Sequence, residues 1–379
     1  MEPPLDACVA AGSESRIVLL LPPLLQGVAL DARSPVTHIG AVVPAFVGDA
    51  RALDDLARCL RAIEACDPPE GGPPPDVVVV DDGSSIDLAP ALTGLVRTRT
   101  VRQDRQGPAA ARNLGARVHG EAVDACLFVD ADVEVPPDTV RRLARHMASP
   151  EVAAAWGTVS DDAPDPSLLS RYKNLVHRHF TLSLGPDPTH LTSMVVLIRR
   201  SPFQAVGGFD ARWRAVAVED VELGRDLVDA GFRVCLDLGV EARHRHRYTL
   251  EGVLRNDLVK LRSHAGTTLR RLAAGRRSVG PGGPGSGRQA RYVLGIPLGV
   301  GALAFLVAGQ PGPAAGLVGA LAVWERDLLK FLAAREGVGF AAACLPLIVL
   351  ERGTAATAAV LGILDVVRGE MPLRPLPEP

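Results

Sequence analysis

The sequence predicts an α/β domain with a mostly parallel central sheet, followed by an all-α, membrane-associated carboxyl-terminal region. Two short apolar runs, residues 77–80 and 126–129, stop abruptly at aspartates. Unbroken apolar strands of this kind are typical of parallel sheets that are covered on both faces. After residue 292 the composition changes to long, nearly charge-free segments, which favour helices in or at a lipid bilayer.

The composition limits the class of protein. The chain has 379 residues, 47% of them hydrophobic, and a formal net charge of -2, so it can build a full-sized α/β core and is not predicted to be disordered. Basic residues concentrate in residues 243–291, whereas a nucleic-acid-binding domain is usually basic throughout. We therefore expect a local basic face and no nucleic-acid partner.

The cysteines and the amino terminus bear on the compartment. The six cysteines are scattered without a CxxC pair, which favours reduced thiols and a cytoplasmic catalytic domain over a disulfide framework. Residues 1–36 are expected to be an amino-terminal extension. Its apolar part, residues 17–30, contains Pro22 and Pro23 and follows no basic segment, so a signal peptide is not predicted.

The first predicted elements are a strand at residues 38–44 and an amphipathic helix at residues 48–66. A second strand then ends at Asp81 and Asp82, before Gly83 and Ser84. This turn has two readings. It is either an ordinary tight turn and helix cap, or it places a carboxylate that accepts a hydrogen bond from the imide N–H of a uracil-like base.

Residues 106–116 predict a helix whose amino terminus faces the same sheet edge. Gly107 allows a close approach of the backbone to a ligand, and Pro108 is suited to the first helical turn. A helix amino terminus attracts anions, so a diphosphate is a reasonable ligand there. Arg112 lies about one turn inside the helix, either near that ligand or as an ordinary solvated arginine.

The stretch with the clearest chemistry is residues 126–135, in which Asp130 and Asp132 follow a buried strand. Two carboxylates at the carboxyl end of a strand are hard oxygen ligands for Mg²⁺ or Mn²⁺. The alternative is a solvated acidic turn.

The rest of this half continues the α/β pattern. We predict a helix at residues 136–149, strands at residues 152–159 and 191–199, and a turn at residues 201–208. Residues 167–184 form a segment in which His177 and His179 either contact an acceptor or are ordinary helical histidines. Glu219 and Asp220 begin a further helix, where acids complement the helix dipole or supply a general base.

Taken together, the motifs VVPAF, VVVVDDGSS, GPAAARNLG, FVDADVEV, VGGFD and VEDVELGRDL resemble those of the family 2 glycosyltransferases in order and spacing. The resemblance covers residues 37–248 and implies a Rossmann-like GT-A fold that binds a nucleotide-diphosphate sugar. It implies that Pro44 and Asp82 line the base site, that Arg112 lies near the nucleotide, and that Asp130 faces the ribose.

The same resemblance implies the catalytic and metal residues. Asp132 would bind a divalent cation, Mg²⁺ or Mn²⁺, and Asp220 would be the general base of a single displacement that inverts the sugar carbon. His244 is preferred to His246 as a further metal ligand because it lies nearer the strand end. The QxxRW motif of processive members is absent from the sequence, so processive synthesis is not expected.

Residues 250–272 predict a basic amphipathic helix at an anionic membrane interface, with Arg255, Lys260, Arg262, Arg270 and Arg271 facing the leaflet. A Gly/Pro/Arg linker follows up to residue 291. Residues 292–370 contain four apolar runs, the last two separated by Glu351 and Arg352, and predict two to four membrane spans or buried helices of a soluble domain. Residues 371–379 form a tail.

The sequence thus divides into an extension (1–36), a GT-A domain (37–249), the basic helix and linker (250–291), the membrane region (292–370) and the tail. The predicted function is metal-dependent, inverting transfer of a hexose-like sugar to a lipid-linked or glycan acceptor at the membrane, with the catalytic domain on the cytoplasmic side. Two alternatives remain: a transferase with a soluble acceptor, and a catalytically silent membrane-bound module that binds sugar nucleotides. A nucleotidyltransferase would need a basic, Gly-rich loop after the first strand, which residues 42–50 do not provide.

Overall fold

The computed structural model describes residues 35–213, 218–274 and 287–370, with side chains omitted for residues 287–291. Almost all of the predicted extension, most of the linker and the tail lie outside the described residues. The described strands form one mixed sheet in the order β3-β2-β1-β4-β7-β6-β8-β5. They are β1 (Ile39–Ala45), β2 (Asp76–Asp82), β3 (Thr98–Gln103), β4 (Ala125–Val129), β5 (Val133–Glu134), β6 (Val152–Val159), β7 (Val195–Arg199) and β8 (Arg233–His244).

The pairing of the strands confirms the predicted α/β fold with a mostly parallel sheet. The β1–β2, β1–β4, β2–β3 and β6–β8 ladders are parallel, and the β4–β7, β6–β7 and β5–β8 ladders are antiparallel. Two strands were not predicted from the sequence. The edge strand β3 has no apolar run, and β5 is only two residues long.

Helices cover both faces of the sheet. In the first part of the chain they are α1 (Ala50–Glu64), α2 (Ala89–Leu92), α3 (Pro108–His119), α4 (Thr139–His146), α5 (Leu168–Thr181), α6 (Arg200–Ala205), α7 (Glu219–Asp229) and α8 (Leu250–Ala273). The predicted turn at residues 201–208 is wrong, because these residues begin with the short helix α6. The turn itself falls at Gly207 and Gly208, whose φ angles of 79° and 68° favour glycine.

The core forms two layers because successive strand residues point to opposite faces. Val43 and Val79 pack with α1 in one layer, whereas Val42 and Val78 pack with α3 in the other. The small residues of α3 allow the helix to lie close to the sheet, since a Cβ on Gly115 would come within 2.3 Å of Val42. Because Arg112 lies on the same helix, this close packing fixes its position relative to the edge of the sheet.

The carboxyl-terminal region is helical, as predicted. It consists of α9 (Gly287–Val307), α10 (Pro311–Trp324), α11 (Arg326–Glu336), α12 (Val338–Ala343) and α13 (Leu345–Arg368). The linker predicted up to residue 291 is too long, because α9 begins at Gly287. The break predicted at Glu351 and Arg352 is also wrong, since α13 runs through both residues.

The helices after residue 292 pack against the α/β domain through α5. Tyr172 and Leu175 of α5 share an apolar cluster with residues of α9 to α13. Residues 338–368, which form α12 and α13, are long enough to cross a membrane and contain an apolar window of 18 residues with a mean hydropathy of 1.6. Core helices of soluble proteins share these properties.

The basic helix has the predicted bounds but not the predicted orientation. Arg271 is 1% exposed, and Arg262 donates two hydrogen bonds to Asp365 of α13. Two of the five basic residues assigned to the leaflet are therefore bound within the protein. Arg255, which is exposed, pairs with Glu251 on its own helix.

Candidate active site

The predicted site residues of the first strands lie along one edge of the sheet. Pro44 pairs in register with Val80, two residues before Asp82, and Asp130 directly follows β4. Because β2, β1 and β4 are parallel neighbours, their carboxyl ends meet at this edge. Pro44, Asp82 and Asp130 are thus brought to the same edge, as predicted.

Asp82 is buried and its carboxylate holds the loop that leads into α3. One oxygen accepts hydrogen bonds from Gln103 Nε2 at 2.7 Å and from the backbone N–H of Gln106 at 2.8 Å. The other accepts from the N–H of Gly107 at 2.8 Å. Sequence analysis missed Gln103, because it lies on the unpredicted strand β3. The carboxylate thus orders the loop whose helix faces the sheet edge.

Arg112 links the two acidic segments of the site. It is 3% exposed, so its alternative reading as a solvated arginine is wrong. Its Nη2 donates to Asp130 Oδ1 at 2.7 Å, and its Nη1 donates to Glu219 Oε1 at 3.2 Å. Burial lowers the pKa of Arg112, but the two carboxylates outweigh burial and raise it. Burial raises the pKa of Asp130 despite the opposing charge of Arg112.

Asp132, His244 and His246 form a cluster that fits one metal ion. His246 Nδ1 lies 3.1 Å and His244 Nε2 lies 3.5 Å from Asp132 Oδ2. The candidate ligand atoms of all three residues lie within 4.8 Å of one another. A carboxylate oxygen and two imidazole nitrogens in this arrangement are a chemically suitable donor set for a divalent transition metal.

The sheet explains why these three residues meet. In the β5–β8 ladder Val133 pairs with His244, and the N–H of Arg245 donates to Asp132 O at 2.8 Å. Burial raises the pKa of Asp132, but His244 and His246 outweigh it and hold that pKa well below its usual range. Asp132 and His244 lie close together, as predicted. His246 joins them, although the sequence analysis preferred His244 to His246.

Asp220 lies close to the same edge, in the first turn of α7. Its Oδ2 accepts hydrogen bonds from the N–H and the hydroxyl of Ser193, at 3.0 and 3.3 Å. The next residue, Met194, accepts a hydrogen bond from the N–H of Asp130 at 3.1 Å. Ser193 and Met194 therefore connect Asp220 to the DAD segment. Sequence analysis missed Ser193, which has no motif of its own.

The two histidines of α5 have different surroundings. The His179 ring packs 4.8 Å from the Phe331 ring of α11, so it belongs to the contact with the carboxyl-terminal helices. Burial lowers the pKa of His177 to about 3, and the charges of His244 and Lys260 add to this effect.

A cavity of about 530 Å³ lies elsewhere, between α3 and α6. Its lining includes Cys126 at the beginning of β4 and Phe203. The DAD segment follows the other end of β4. This cavity is therefore separate from the cluster of acids and histidines.

The chain was compared with known protein families and structures. The family described as "Glycosyl transferase family 2" matches residues 41–207, and the one described as "Glycosyl transferase family group 2" matches residues 126–361, more than half of the chain. No curated protein matches. A crystal structure of GalNAc-T7 with UDP, GalNAc and Mn2+ is similar at 14% identity and a TM-score of 0.44, over 57% of this chain and 45% of that one. The chain spans less than half of that protein.

The first family match covers the strands that carry Asp82 and Asp130, and the second extends through the metal cluster, α7 and most of the carboxyl-terminal helices. The mixed sheet with helices on both faces has the Rossmann-like GT-A arrangement. The chain therefore belongs to the family 2 glycosyltransferases and is a glycosyltransferase of GT-A fold.

Proposed function

We propose that this glycosyltransferase is metal-dependent and inverting, and that it transfers a hexose-like sugar from a nucleotide-diphosphate donor to an acceptor presented at the membrane. The observation that carries the proposal is the short connection between two groups of side chains. Ser193 binds Asp220, and the adjacent Met194 binds the backbone of Asp130, two residues from Asp132. A carboxylate base and a metal cluster on one sheet edge are what a single displacement on a sugar nucleotide requires.

The donor would lie across the carboxyl ends of β1, β2 and β4. We place the base beside Pro44 and Asp82, the ribose beside Asp130, and the diphosphate near the amino terminus of α3. Arg112 is already bound to Asp130 and Glu219. We therefore assign it to orienting Asp130 next to the nucleotide, through the hydrogen bond between them.

Asp132, His244 and His246 would hold the metal. When bound, a divalent cation would neutralise the charge that develops on the leaving nucleoside diphosphate. Mg²⁺ is usually bound through carboxylates and water, whereas imidazoles suit transition metals. Two histidines beside one carboxylate therefore favour Mn²⁺ over Mg²⁺ as the cofactor.

Asp220 would act on the acceptor. Its carboxylate accepts the proton of the acceptor hydroxyl while the hydroxyl oxygen forms a bond to C1 of the sugar, and the bond from C1 to the diphosphate oxygen breaks. Attack opposite the leaving group inverts C1. The two hydrogen bonds from Ser193 orient the carboxylate. General-base assistance of this kind typically contributes about 10²–10⁴ in rate.

The membrane part of the proposal rests on the carboxyl-terminal helices. Besides the one stretch long enough to cross a bilayer, these helices expose many large apolar side chains, among them Val293, Leu294, Leu306, Val307, Val323, Val338, Val360, Ile363 and Val367. Exposed apolar surface of this kind marks an interaction with a membrane or a partner. We infer that these helices hold the chain at a membrane, as transmembrane or membrane-embedded helices, with the α/β domain on the cytoplasmic side.

The experiment that tests the chemistry uses the full chain in detergent with Mn²⁺ and a panel of nucleotide sugars. Asp220→Asn should lower kcat for transfer by at least about 100-fold while donor affinity stays within a few fold. Asp187→Asn, an exposed aspartate paired with Arg233, is the matched control. Transfer by Asp220→Asn at the rate of the control would reject the base assignment, and donor binding without transfer to any acceptor would favour the silent module.

The acceptor is tested separately, with the full chain in vesicles. A polyprenyl-linked acceptor in the same vesicles should be glycosylated faster than its water-soluble headgroup, since confinement to the bilayer removes much of the orientational search. Equal rates for the two acceptors, or a preference for the soluble one, would favour the alternative of a soluble acceptor.

A further inference from the structure

Arg271, in the last turn of α8, is bound to three carboxylates of another helix. Although it is a large, charged side chain, it is 1% exposed. Its Nε donates to Glu222 Oε2 at 2.9 Å, its Nη2 to Asp226 Oδ1 at 2.7 Å, and its Nη1 to Asp229 Oδ2 at 2.6 Å. All three nitrogens of the guanidinium are thus directed at α7.

The three acids lie on one side of α7, the helix that begins with Glu219 and Asp220. Residues 222, 226 and 229 are separated by four and three positions, which places them on one helix face. Arg225 Nη1 also donates to Glu222, at 2.7 Å. Arg271 therefore fixes α7 along two turns, and Arg112 and Ser193 hold its first two residues, Glu219 and Asp220.

The helix that carries Arg271 is itself packed closely against α13. Arg262 pairs with Asp365, and a Cβ on Gly362 would come within 2.3 Å of the backbone oxygen of Arg262. Such a close approach leaves little room for α8 to shift relative to α13. A continuous set of contacts thus leads from α13 through α8 and Arg271 to α7.

We propose that Arg271 is a positioning residue for sugar transfer, which sets the place of the Asp220 carboxylate by fixing α7 to the helix pair α8 and α13. The inference rests on the proposed role of Asp220 as the general base. Three charge-assisted hydrogen bonds in a buried site define the position of a helix more narrowly than apolar packing alone. A misplacement of about 1 Å at a reacting group can lower the rate about 100-fold. A shift of the carboxyl-terminal helices would thereby move Asp220, the proposed base for the acceptor.

The test compares transfer with binding of the nucleoside diphosphate, which does not need the base. Arg271→Lys keeps the charge but cannot reach three carboxylates with the planar guanidinium geometry. In the full chain with Mn²⁺, we expect kcat for transfer to fall about tenfold or more, while the affinity for the nucleoside diphosphate falls by a clearly smaller factor. Arg270→Lys, at the neighbouring position, is the control and should leave both quantities unchanged.

A milder variant guards against loss of the fold. Asp229→Asn removes the negative charge of one partner, whose side chain is 30% exposed, and should lower kcat for transfer about two- to fivefold with the melting temperature nearly unchanged. An unchanged kcat in both variants, or an equal loss of donor affinity and transfer, would overturn the proposal. If Asp220→Asn itself leaves transfer intact, the base assignment fails instead, so the two failures are distinguishable.

Discussion

Arg112 donates a 2.7 Å hydrogen bond to Asp130 from a position that is almost completely buried. Through its other nitrogen the same guanidinium contacts Glu219 at 3.2 Å. The first acid of the DAD segment and the first residue of α7 are thus held by one side chain. Removal of either bond would leave a buried charge incompletely paired, which is costly.

We expect Arg112→Lys to impair donor binding, because a lysine ammonium cannot bridge two carboxylates as a guanidinium does. The dissociation constant for nucleoside diphosphate with Mn²⁺ should rise about tenfold, equivalent to ~1.4 kcal/mol. Calorimetry measures this. Arg117→Lys, an exposed position on the same helix, is the control. An unchanged dissociation constant in Arg112→Lys would remove Arg112 from the donor site.

The metal cluster gives a second prediction. Chelation with EDTA should abolish transfer, and Mn²⁺ should restore it better than Mg²⁺ because of the two imidazoles. His244→Ala and His246→Ala should each weaken Mn²⁺ binding about 10- to 100-fold. Electron paramagnetic resonance of free Mn²⁺ measures the affinity.

His38→Ala, an exposed histidine near the other end of β1, serves as the control for the metal variants. Mn²⁺ affinity equal to that of the control in His246→Ala would restrict the site to Asp132 and His244.

Asp82 provides a prediction about the loop before α3. Asp82→Asn replaces one of the two acceptor oxygens by an NH₂ group, which cannot accept a hydrogen bond, so the bond from the N–H of Gly107 or those from Gln103 and Gln106 are lost. Loss of such a buried hydrogen bond costs about 1–3 kcal/mol. We expect a lower melting temperature and weaker nucleotide binding, measured by thermal unfolding with and without nucleoside diphosphate.

The exposed neighbour Asp104 supplies the control for this loop, as Asp104→Asn. Asp82→Asn with the melting temperature and nucleotide affinity of wild type would show that the carboxylate does not order the loop.

His190 gives a prediction about pH. Burial lowers its pKa to about 4, with Arg225 adding to the effect and Asp220 opposing it. Between pH about 6.5 and about 4 the unfolded chain binds a proton that the folded chain does not bind, so the stability due to neutral His190 is lost as the pH falls through this window. Each pH unit within it corresponds to at most about 1.4 kcal/mol.

His190→Gln removes this titration, so the decline in melting temperature between pH 7 and pH 5 should be smaller in the variant than in wild type. Thermal unfolding followed by circular dichroism provides the measurement. Equal declines in the two proteins would mean that His190 does not titrate in this way.

The sequence predicted correctly those features that depend on a short stretch of the chain. The apolar runs identify β1, β2, β4 and β6, and the helix that carries Asp220 begins at the predicted residue. Strand β3 was not predicted because its residues are mostly polar. An edge strand can be polar, since it needs apolar side chains only where it packs against the core. Its absence from the prediction also hid Gln103, the partner of Asp82.

Long-range partners could not be predicted in the same way. His246 joins Asp132 because β5 and β8 are antiparallel neighbours, a pairing that no spacing in the sequence reveals. The basic face expected on α8 is partly internal because Arg271 meets acids on a helix that lies 42 to 49 positions earlier in the chain. Charge patterning shows how many basic residues a helix has, but the tertiary fold decides which of them reach solvent.

Because α13 continues through Glu351 and Arg352, these two charged residues limit how far the helix can enter the hydrocarbon of a bilayer. Glu351 accepts hydrogen bonds from Tyr172, at 2.7 Å, and from Lys173, at 3.0 Å, on α5 of the α/β domain, and Arg352 pairs with Glu325. A bilayer centred on this pair would carry part of the catalytic domain into the hydrocarbon, where uncompensated polar groups are expensive. In the membrane association proposed above, the face of α13 that meets α5 would therefore lie at the headgroup level. The helix would then insert into one leaflet without crossing the bilayer centre, which would make the enzyme sensitive to the curvature and lateral pressure of the membrane on its own side.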